Sequence, residues 1–222
     1  MSVRPISDYY NKPDYKLPVD ANSWAYMELP DIVGRSSLCG AYYQLCDGYT
    51  DAADSVRDTI YDGLTEHDKK KPVMLVSPMI RLYYQAVECI VKAICVWVGI
   101  DKYGNNGHHT EIIFQQALDK IPDNVYADEN ITKILSFLHQ CNEHNEGSQF
   151  GRYPLNTNNQ LMGVFYGADG KAEGYYSIGL IHFSQYMHEG LNELILFYKH
   201  LTSNGYTLSD KPVEIKDKSE DL

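Results

Sequence analysis

The most constraining feature of this sequence is residues 73–99, where apolar side chains recur nearly all the way round a predicted helix. A helix of this kind is stable in water only when other elements enclose it on most sides. Arg81, Glu88 and Lys92 interrupt the stretch, so it contains no run of about 18 apolar residues that could cross a bilayer. Gly99 is a natural helix stop. The stretch therefore predicts the central helix of a helical bundle.

A single polar stripe interrupts the apolar surface of this helix. Its members, which follow one another at steps of four, four, three and four residues, are Ser77, Arg81, Gln85, Glu88 and Lys92. Such steps place side chains on one helix face. Glu88 and Lys92 form an i,i+4 pair with the acid first, which is the more favourable order. Because an unpaired buried charge destabilises a fold strongly, we expect these charges to have partners.

Helical periodicity recurs outside this stretch, and a short β-hairpin is predicted at about 161–178. The other helical stretches are residues 36–64, 108–120, 128–143 and 179–202. Whether the first of them forms one helix or two depends on Gly48. The sequence therefore predicts a mainly α fold, a bundle of five or six helices with one small β-hairpin.

The two ends of the chain differ in composition from the middle. Residues 1–33 contain four prolines and no clear period, which predicts an extended N-terminal arm. Residues 205–222 are rich in charge and predict a flexible tail. The helical domain, including the hairpin, is expected over residues 34–204.

Acidic residues outnumber basic ones by 30 to 19, which gives a formal charge of −11. This charge disfavours a broad DNA-binding surface. Between residues 47 and 68, seven acids accompany a single arginine, Arg57. We expect these acids, Asp51 and Asp54 among them, to lie on a solvated helix face and to contribute little to stability.

The sequence carries no sign of a disulfide framework, a metal site or a cofactor. Its five cysteines form no C-x-x-C pair, and we expect reduced thiols in the core of a cytoplasmic protein without a signal peptide. His139, Cys141 and His144 supply three ligand types, whereas structural zinc sites use four, so no metal is expected. Phosphate-loop, dinucleotide and hydrolase motifs are absent from the sequence, and no cofactor is expected.

Three segments resemble motifs of a group of bacterial HEPN-like helical proteins. Residues 82–92 (LYYQAVECIVK) resemble that group's L-Y-R-H-x-L-E-L-x-L-K, residues 107–114 (GHHTEIIF) its G-H-D-L-x-x-L-W, and residues 150–154 (FGRYP) its F-R-Y-P with one extra residue. The segments occur in the group's order. The resemblance implies a HEPN-like bundle and, because such bundles commonly pair, a homodimer. The many tyrosines fit an interface, where aromatic residues are enriched.

The sequence lacks the Arg-x4–6-His motif of HEPN ribonucleases. Tyr84 and Gln85 stand where the related group has its Arg-His pair, and no arginine is followed by a histidine five to seven residues later. The resemblance therefore implies a non-catalytic binding module of a bacterial or phage conflict or defence system, which recognises a nucleotide, an RNA or a protein partner.

The candidate site joins the polar stripe to the other two motifs. Its residues, which form either a ligand-binding pocket or a buried charge network, are Arg81, Glu88, Lys92, His108, His109, Arg152 and Tyr153. Tyr153 and Pro154 are expected to fix their loop so that Arg152 points inward, towards Glu88.

Two further functions stay open. The first is a metal-independent endoribonuclease with a site rebuilt from Glu88, His108, His109 and Arg152. Acid–base cleavage of RNA needs an imidazole or a similar group and a cation to hold the phosphate, and this set provides both. The second is a purely structural or regulatory subunit.

Overall fold

The computed structural model describes residues 35–65, 75–100, 102–103, 106–122, 125–145, 164–166, 171–175 and 178–204. Over these residues the protein is mainly helical, as predicted. The described helices are α1 Arg35–Thr65, α2 Val76–Trp97, α3 Thr110–Leu118, α4 Asp128–Asn145 and α5 Leu180–Ser203. The predicted arm at 1–33 and the tail at 205–222 lie outside the described residues.

Helix α2 is central to the bundle, as its apolar circumference predicts. It packs along α1 and also contacts α3 and α5. Fourteen of its 22 residues are buried, and they are distributed round the helix. The largest fully buried side chains come from all five described helices and include Ile60, Tyr83, Phe114, Ile134 and Phe197. One continuous core therefore joins the helices.

The end of α2 is fixed by Gly99, as predicted. Gly99 adopts a positive φ of 87°, which glycine tolerates best. Its N–H donates to the Val96 carbonyl at 3.0 Å, and the N–H of Ile100 donates to the Cys95 carbonyl at 2.8 Å. These two bonds form a Schellman cap, which satisfies carbonyl groups left open at the helix end.

Helix α1 runs without a break through Gly48, so the stretch from residue 36 to 64 is one helix.

All five cysteines, Cys39, Cys46, Cys89, Cys95 and Cys141, are free and buried, as expected. Among the described helices, none is long and apolar enough to span a membrane.

Two short strands precede α5. Strand β1, Val164–Tyr166, pairs antiparallel with β2, Ala172–Tyr175, and the register places Val164 opposite Tyr175. Much of the predicted hairpin, including residues 167–170 between the strands, lies outside the described part of the chain. The hairpin over 161–178 therefore stays a prediction.

Helices α4 and α5 approach each other closely at Gly190. A Cβ atom at this position would lie 2.3 Å from the ring of Phe137 in α4, well inside van der Waals contact. Phe137 is itself buried, so its ring has little room to move. Only glycine fits here without a shift of the Phe137 ring or of one helix.

We expect Gly190→Ala to lower the free energy of unfolding by roughly 1–3 kcal/mol, because the added methyl overpacks the Phe137 ring. Gly48→Ala is the matched control, since a Cβ at Gly48 in α1 meets nothing within 4 Å. The control should gain about 0.5–1 kcal/mol from the higher helix propensity of alanine. Urea denaturation measures both. Equal stabilities for the two variants would show that α4 and α5 do not meet at Gly190.

Candidate functional site

Part of the predicted charge network is assembled around Glu88, in the middle of α2. The Glu88 side chain is buried, and its Oε1 lies 2.6 Å from Lys92 Nζ and 3.1 Å from His108 Nδ1. Lys92 also lies over the ring of Tyr103, with Nζ 5.7 Å from the ring centroid. His108 belongs to the turn before α3 and is half-exposed. These contacts connect α2 to the segment that leads into α3.

The other residues of the predicted site do not contact Glu88 in the described part of the structure. Arg81 donates a hydrogen bond to Gln85 Oε1 at 3.0 Å, one turn further along the polar stripe. His109 directly precedes α3, and its carbonyl accepts the N–H of Ile113 at 3.1 Å. Arg152 and Tyr153 lie outside the described residues. The expected contact between Arg152 and Glu88 therefore stays a prediction.

A second polar cluster, absent from the predicted site, lies where α1, α2 and α5 meet. At its centre, Asp54 Oδ1 of α1 accepts from Arg57 Nη1 at 2.9 Å and from His188 Nε2 of α5 at 2.9 Å. The hydroxyl of Tyr83, a fully buried residue of α2, donates to the same oxygen. We refer to Asp54, Arg57, Tyr83, Ser184 and His188 as the Asp54 cluster.

The expectation that Asp54 lies on a solvated face is wrong. Only 26% of its side chain is exposed, because His188 of α5 and Tyr83 of α2 approach it. Asp51, one turn earlier on α1, is exposed as expected. Helix α5 therefore covers one part of the acidic stripe and leaves the next part open to solvent.

The directions of the hydrogen bonds in the Asp54 cluster follow from what each group can donate. An ionised carboxylate only accepts, so Tyr83 gives its single proton to Asp54. The Tyr83 oxygen then accepts from the hydroxyl of Ser184, 2.7 Å away. Ser184 Oγ in turn accepts from Arg57 Nη1 at 2.6 Å. The proton of the buried Ser184 hydroxyl is therefore directed at Tyr83, which is unfavourable for a nucleophile.

Most of the hydrogen-bonding capacity of Arg57 is already used. Its Nε and Nη2 lie 2.9 Å and 2.8 Å from Asp58 Oδ1. Its Nη1 directs its two hydrogens at Asp54 and Ser184. Since a guanidinium carries five N–H groups, only one of them, on Nη2, points elsewhere. Arg57 joins helices α1 and α5 and is poorly placed to bind an anion.

Hydrogen bonding also sets the ionisation of the Asp54 cluster. Partial burial by itself raises the pKa of Asp54, but the bonds from Tyr83 and His188 and the charge of Arg57 outweigh it and lower that pKa. The stabilisation from ionised Asp54 is therefore present above its unfolded-state pKa and is lost as the pH falls through the folded one. Burial and the bond to Asp54 raise the pKa of Tyr83 to about 12, so Tyr83 keeps its proton at neutral pH.

The Asp54 cluster borders an open cavity of about 690 Å³ between α1 and α5. The lining residues are Arg57, Asp58, Tyr61, Ile181, Ser184, Gln185, His188 and Glu189. Its volume is typical of ligand pockets, which measure about 300–1,000 Å³. Two residues of the lining, Tyr61 and Ile181, present apolar side chains and are 52% and 50% exposed. The cavity lining therefore combines charged side chains with the exposed apolar side chains of Tyr61 and Ile181, which we call its apolar rim.

Two carboxylates supply hydrogen-bond acceptors to this cavity. His188 lines the cavity and directs its Nε2–H at Asp54 Oδ1, 2.9 Å away. The carboxylates of Asp58 and Glu189 also line the cavity. Such an arrangement is suited to a ligand that donates hydrogen bonds.

A metal centre has no support within the described ranges, where no three His, Cys, Asp or Glu residues are placed to hold an ion. His139 Nδ1 lies 3.1 Å from Glu111 and its Nε2 lies 3.4 Å from Glu143. Both glutamates raise the pKa of His139, because they stabilise the charged imidazole. Cys141, two residues along α4, is buried. The imidazole and the thiol therefore lie in different environments.

Sequence reasoning missed the Asp54 cluster, although α5 carries a signal for it. Ser184 and His188 lie four and eight residues after Leu180, on the same face as the apolar residues that predict this helix. Polar residues on a core-facing stripe need hydrogen-bond partners. The single arginine among the acids of α1 is a candidate partner, but its contact with α5 depends on how the helices pack.

Comparisons of the chain with protein-family models, with curated proteins and with solved structures find no match.

We expect Asp54→Ala to lower the free energy of unfolding by about 2 kcal/mol, because Tyr83, Arg57 and His188 lose a charged acceptor. For a chain of this size the melting temperature should fall by roughly 5 °C. Asp51→Ala removes the same charge from the same helix and should change stability by less than about 0.5 kcal/mol. Thermal unfolding followed by circular dichroism measures both. Equal melting temperatures for the two variants would contradict the described role of Asp54.

Proposed function

We propose that this chain is a non-catalytic binding module, and that it recognises a partner protein through the cavity between α1 and α5. The observation that carries the proposal is the commitment of Arg57 and Ser184 to internal hydrogen bonds beside an open cavity. The polar groups that a hydrolytic site would use are engaged in joining helices. The cavity remains accessible, with an apolar rim.

Three observations favour a protein partner over a nucleotide or an RNA. The cavity holds two carboxylates, from Asp58 and Glu189, which repel phosphate groups. Its one guanidinium, from Arg57, is bonded to two aspartates. The exposed apolar side chains of Tyr61 and Ile181 stand at the rim, as is common where proteins meet.

The resemblance to HEPN-like proteins supports the rest of the proposal. The bundle is HEPN-like, with the small hairpin at 161–178 as part of the domain, and the protein acts in the cytoplasm within a bacterial or phage conflict or defence system. Two copies form a homodimer. These parts depend on the motifs at 82–92, 107–114 and 150–154 and on the richness in tyrosine.

The Glu88 network has a structural role in this proposal. Lys92 and His108 both contact a single buried carboxylate oxygen, which connects α2 to the segment before α3. Because Glu88 is buried, removing either partner would leave its charge less well compensated. We therefore treat Glu88, Lys92 and His108 as a brace and the cavity as the binding site.

Selection of displayed peptides tests the proposal. Gln185→Trp places a bulky side chain at the cavity, whereas Asn192→Trp makes the same kind of change at an exposed position of α5 outside the cavity lining. We expect peptides that bind the wild type and Asn192→Trp but bind Gln185→Trp at least roughly tenfold more weakly, since the indole fills the space the peptide needs. Calorimetry on purified variants measures the affinities.

Two results would contradict the proposal. One is the absence of any peptide whose binding Gln185→Trp weakens. The other is RNA cleavage by the wild type that His108→Ala abolishes, because this would favour the ribonuclease with a rebuilt site. A melting temperature measured for each variant shows whether the protein is folded in these assays.

A further inference from the structure

We infer that the cavity between α1 and α5 receives the side chain of a lysine or an arginine from the partner protein. This inference rests on the proposed function and adds the chemical class of the group that is recognised. It follows from the charges that line the cavity, from the acceptors they present and from the exposed apolar rim.

Carboxylates dominate the charge around the cavity. Asp54 and Asp58 form ion pairs with Arg57, and the carboxylate of Glu189 lines the same cavity. Arg57 contacts Asp58 through Oδ1 with both Nε and Nη2, so none of these bonds uses Asp58 Oδ2. Within the described chain, Glu189 has no hydrogen-bond or ion-pair partner. Two carboxylates can therefore accept hydrogen bonds from a cation that enters the cavity.

The rim fits the apolar part of the same side chain. Lysine and arginine carry three or four methylene groups that pack on apolar surfaces while the charge stays at a polar position. Tyr61 on α1 and Ile181 at the start of α5 supply such surfaces. The ring of Tyr61 can also attract the cation through its π face. One basic side chain therefore offers a charge to the carboxylates and methylene groups to the apolar rim.

The extent of the exposed apolar surface favours a protein as the source of the cation. Leu64, one turn beyond Tyr61 on α1, is 40% exposed. A free amine that filled the cavity would leave Tyr61, Leu64 and Ile181 in water. A peptide that delivers a basic side chain can cover them, and burial of apolar area then adds to its affinity.

Nuclear magnetic resonance with small probes tests the chemical class. The probes are the N-acetyl methylamides of arginine, lysine and norleucine, together with inorganic phosphate. Norleucine keeps the aliphatic stem of lysine without its charge. We expect saturable shifts of the amides of residues 54–61 and 181–189 with the arginine or the lysine probe, and no saturable shift there with norleucine or phosphate.

Charge-neutral variants test whether the carboxylates hold the cation. Glu189→Gln should weaken binding of the cationic probe roughly threefold, and Asp58→Asn/Glu189→Gln together roughly tenfold. Asp51→Asn removes an exposed charge from α1 outside the cavity lining and should leave the affinity unchanged. The single variant Glu189→Gln keeps the Arg57–Asp58 pair and is therefore informative even if the double variant is unstable.

Equal binding of the norleucine probe, binding of phosphate at the cavity, or no saturable shift with either cationic probe would overturn the inference. A cavity that binds selected peptides but no cationic probe contradicts this inference alone. If the cavity binds neither the selected peptides nor the cationic probes, the result contradicts the proposed function as well.

Discussion

The carboxylate of Asp54 is the contact on which the junction of α1, α2 and α5 depends. One oxygen accepts from Arg57 on its own helix, from Tyr83 on the central helix and from His188 on the last helix. The Tyr83 hydroxyl is inside the core, where a polar group without a partner is costly. Asp54 satisfies that group and holds Arg57 and His188 beside the cavity. The arrangement of these side chains therefore depends on the carboxylate of one partly buried residue, Asp54.

Two polar clusters contact α2 on different faces, and they differ in what surrounds them. Tyr83 and Glu88 are five residues apart, which turns them by about 140° round the helix axis at 3.6 residues per turn. Glu88 is closed off by Lys92 and by the turn that carries His108. The cluster around Tyr83 opens on a cavity. This difference is the basis of our proposal that the first cluster braces the helices and that the second borders a binding site.

Much of the bundle could be predicted from the sequence, because the spacing of the apolar residues along a helix indicates which of its faces are buried. The apolar circumference of residues 73–99 predicts a central helix, and Gly99 predicts its end; both are confirmed. The Glu88–Lys92 pair is likewise local, at i,i+4. The continuity of α1 through Gly48 could not be predicted, since a single glycine weakens a helix without ending it.

The Asp54 cluster could not be derived in the same way, because its members are separated by up to 134 residues. The helical spacing places Asp54 on an acidic stripe, but only the packing of α5 decides which acid of that stripe is covered. Ser184 and His188 signal a polar contact without identifying the partner. A prediction that considers one helix at a time therefore assigns Asp54 and Asp51 the same environment. In the structure, Asp54 is partly covered whereas Asp51 is exposed.

A double-mutant cycle on Asp54 and Tyr83 tests the central claim most directly. The free energies of unfolding of the wild type, Asp54→Ala, Tyr83→Phe and the double variant give the coupling between the carboxylate and the hydroxyl. The two groups are in direct contact, so we predict a coupling of at least about 1 kcal/mol. A coupling within about 0.3 kcal/mol of zero would show that the two groups act independently and would contradict a junction held by Asp54.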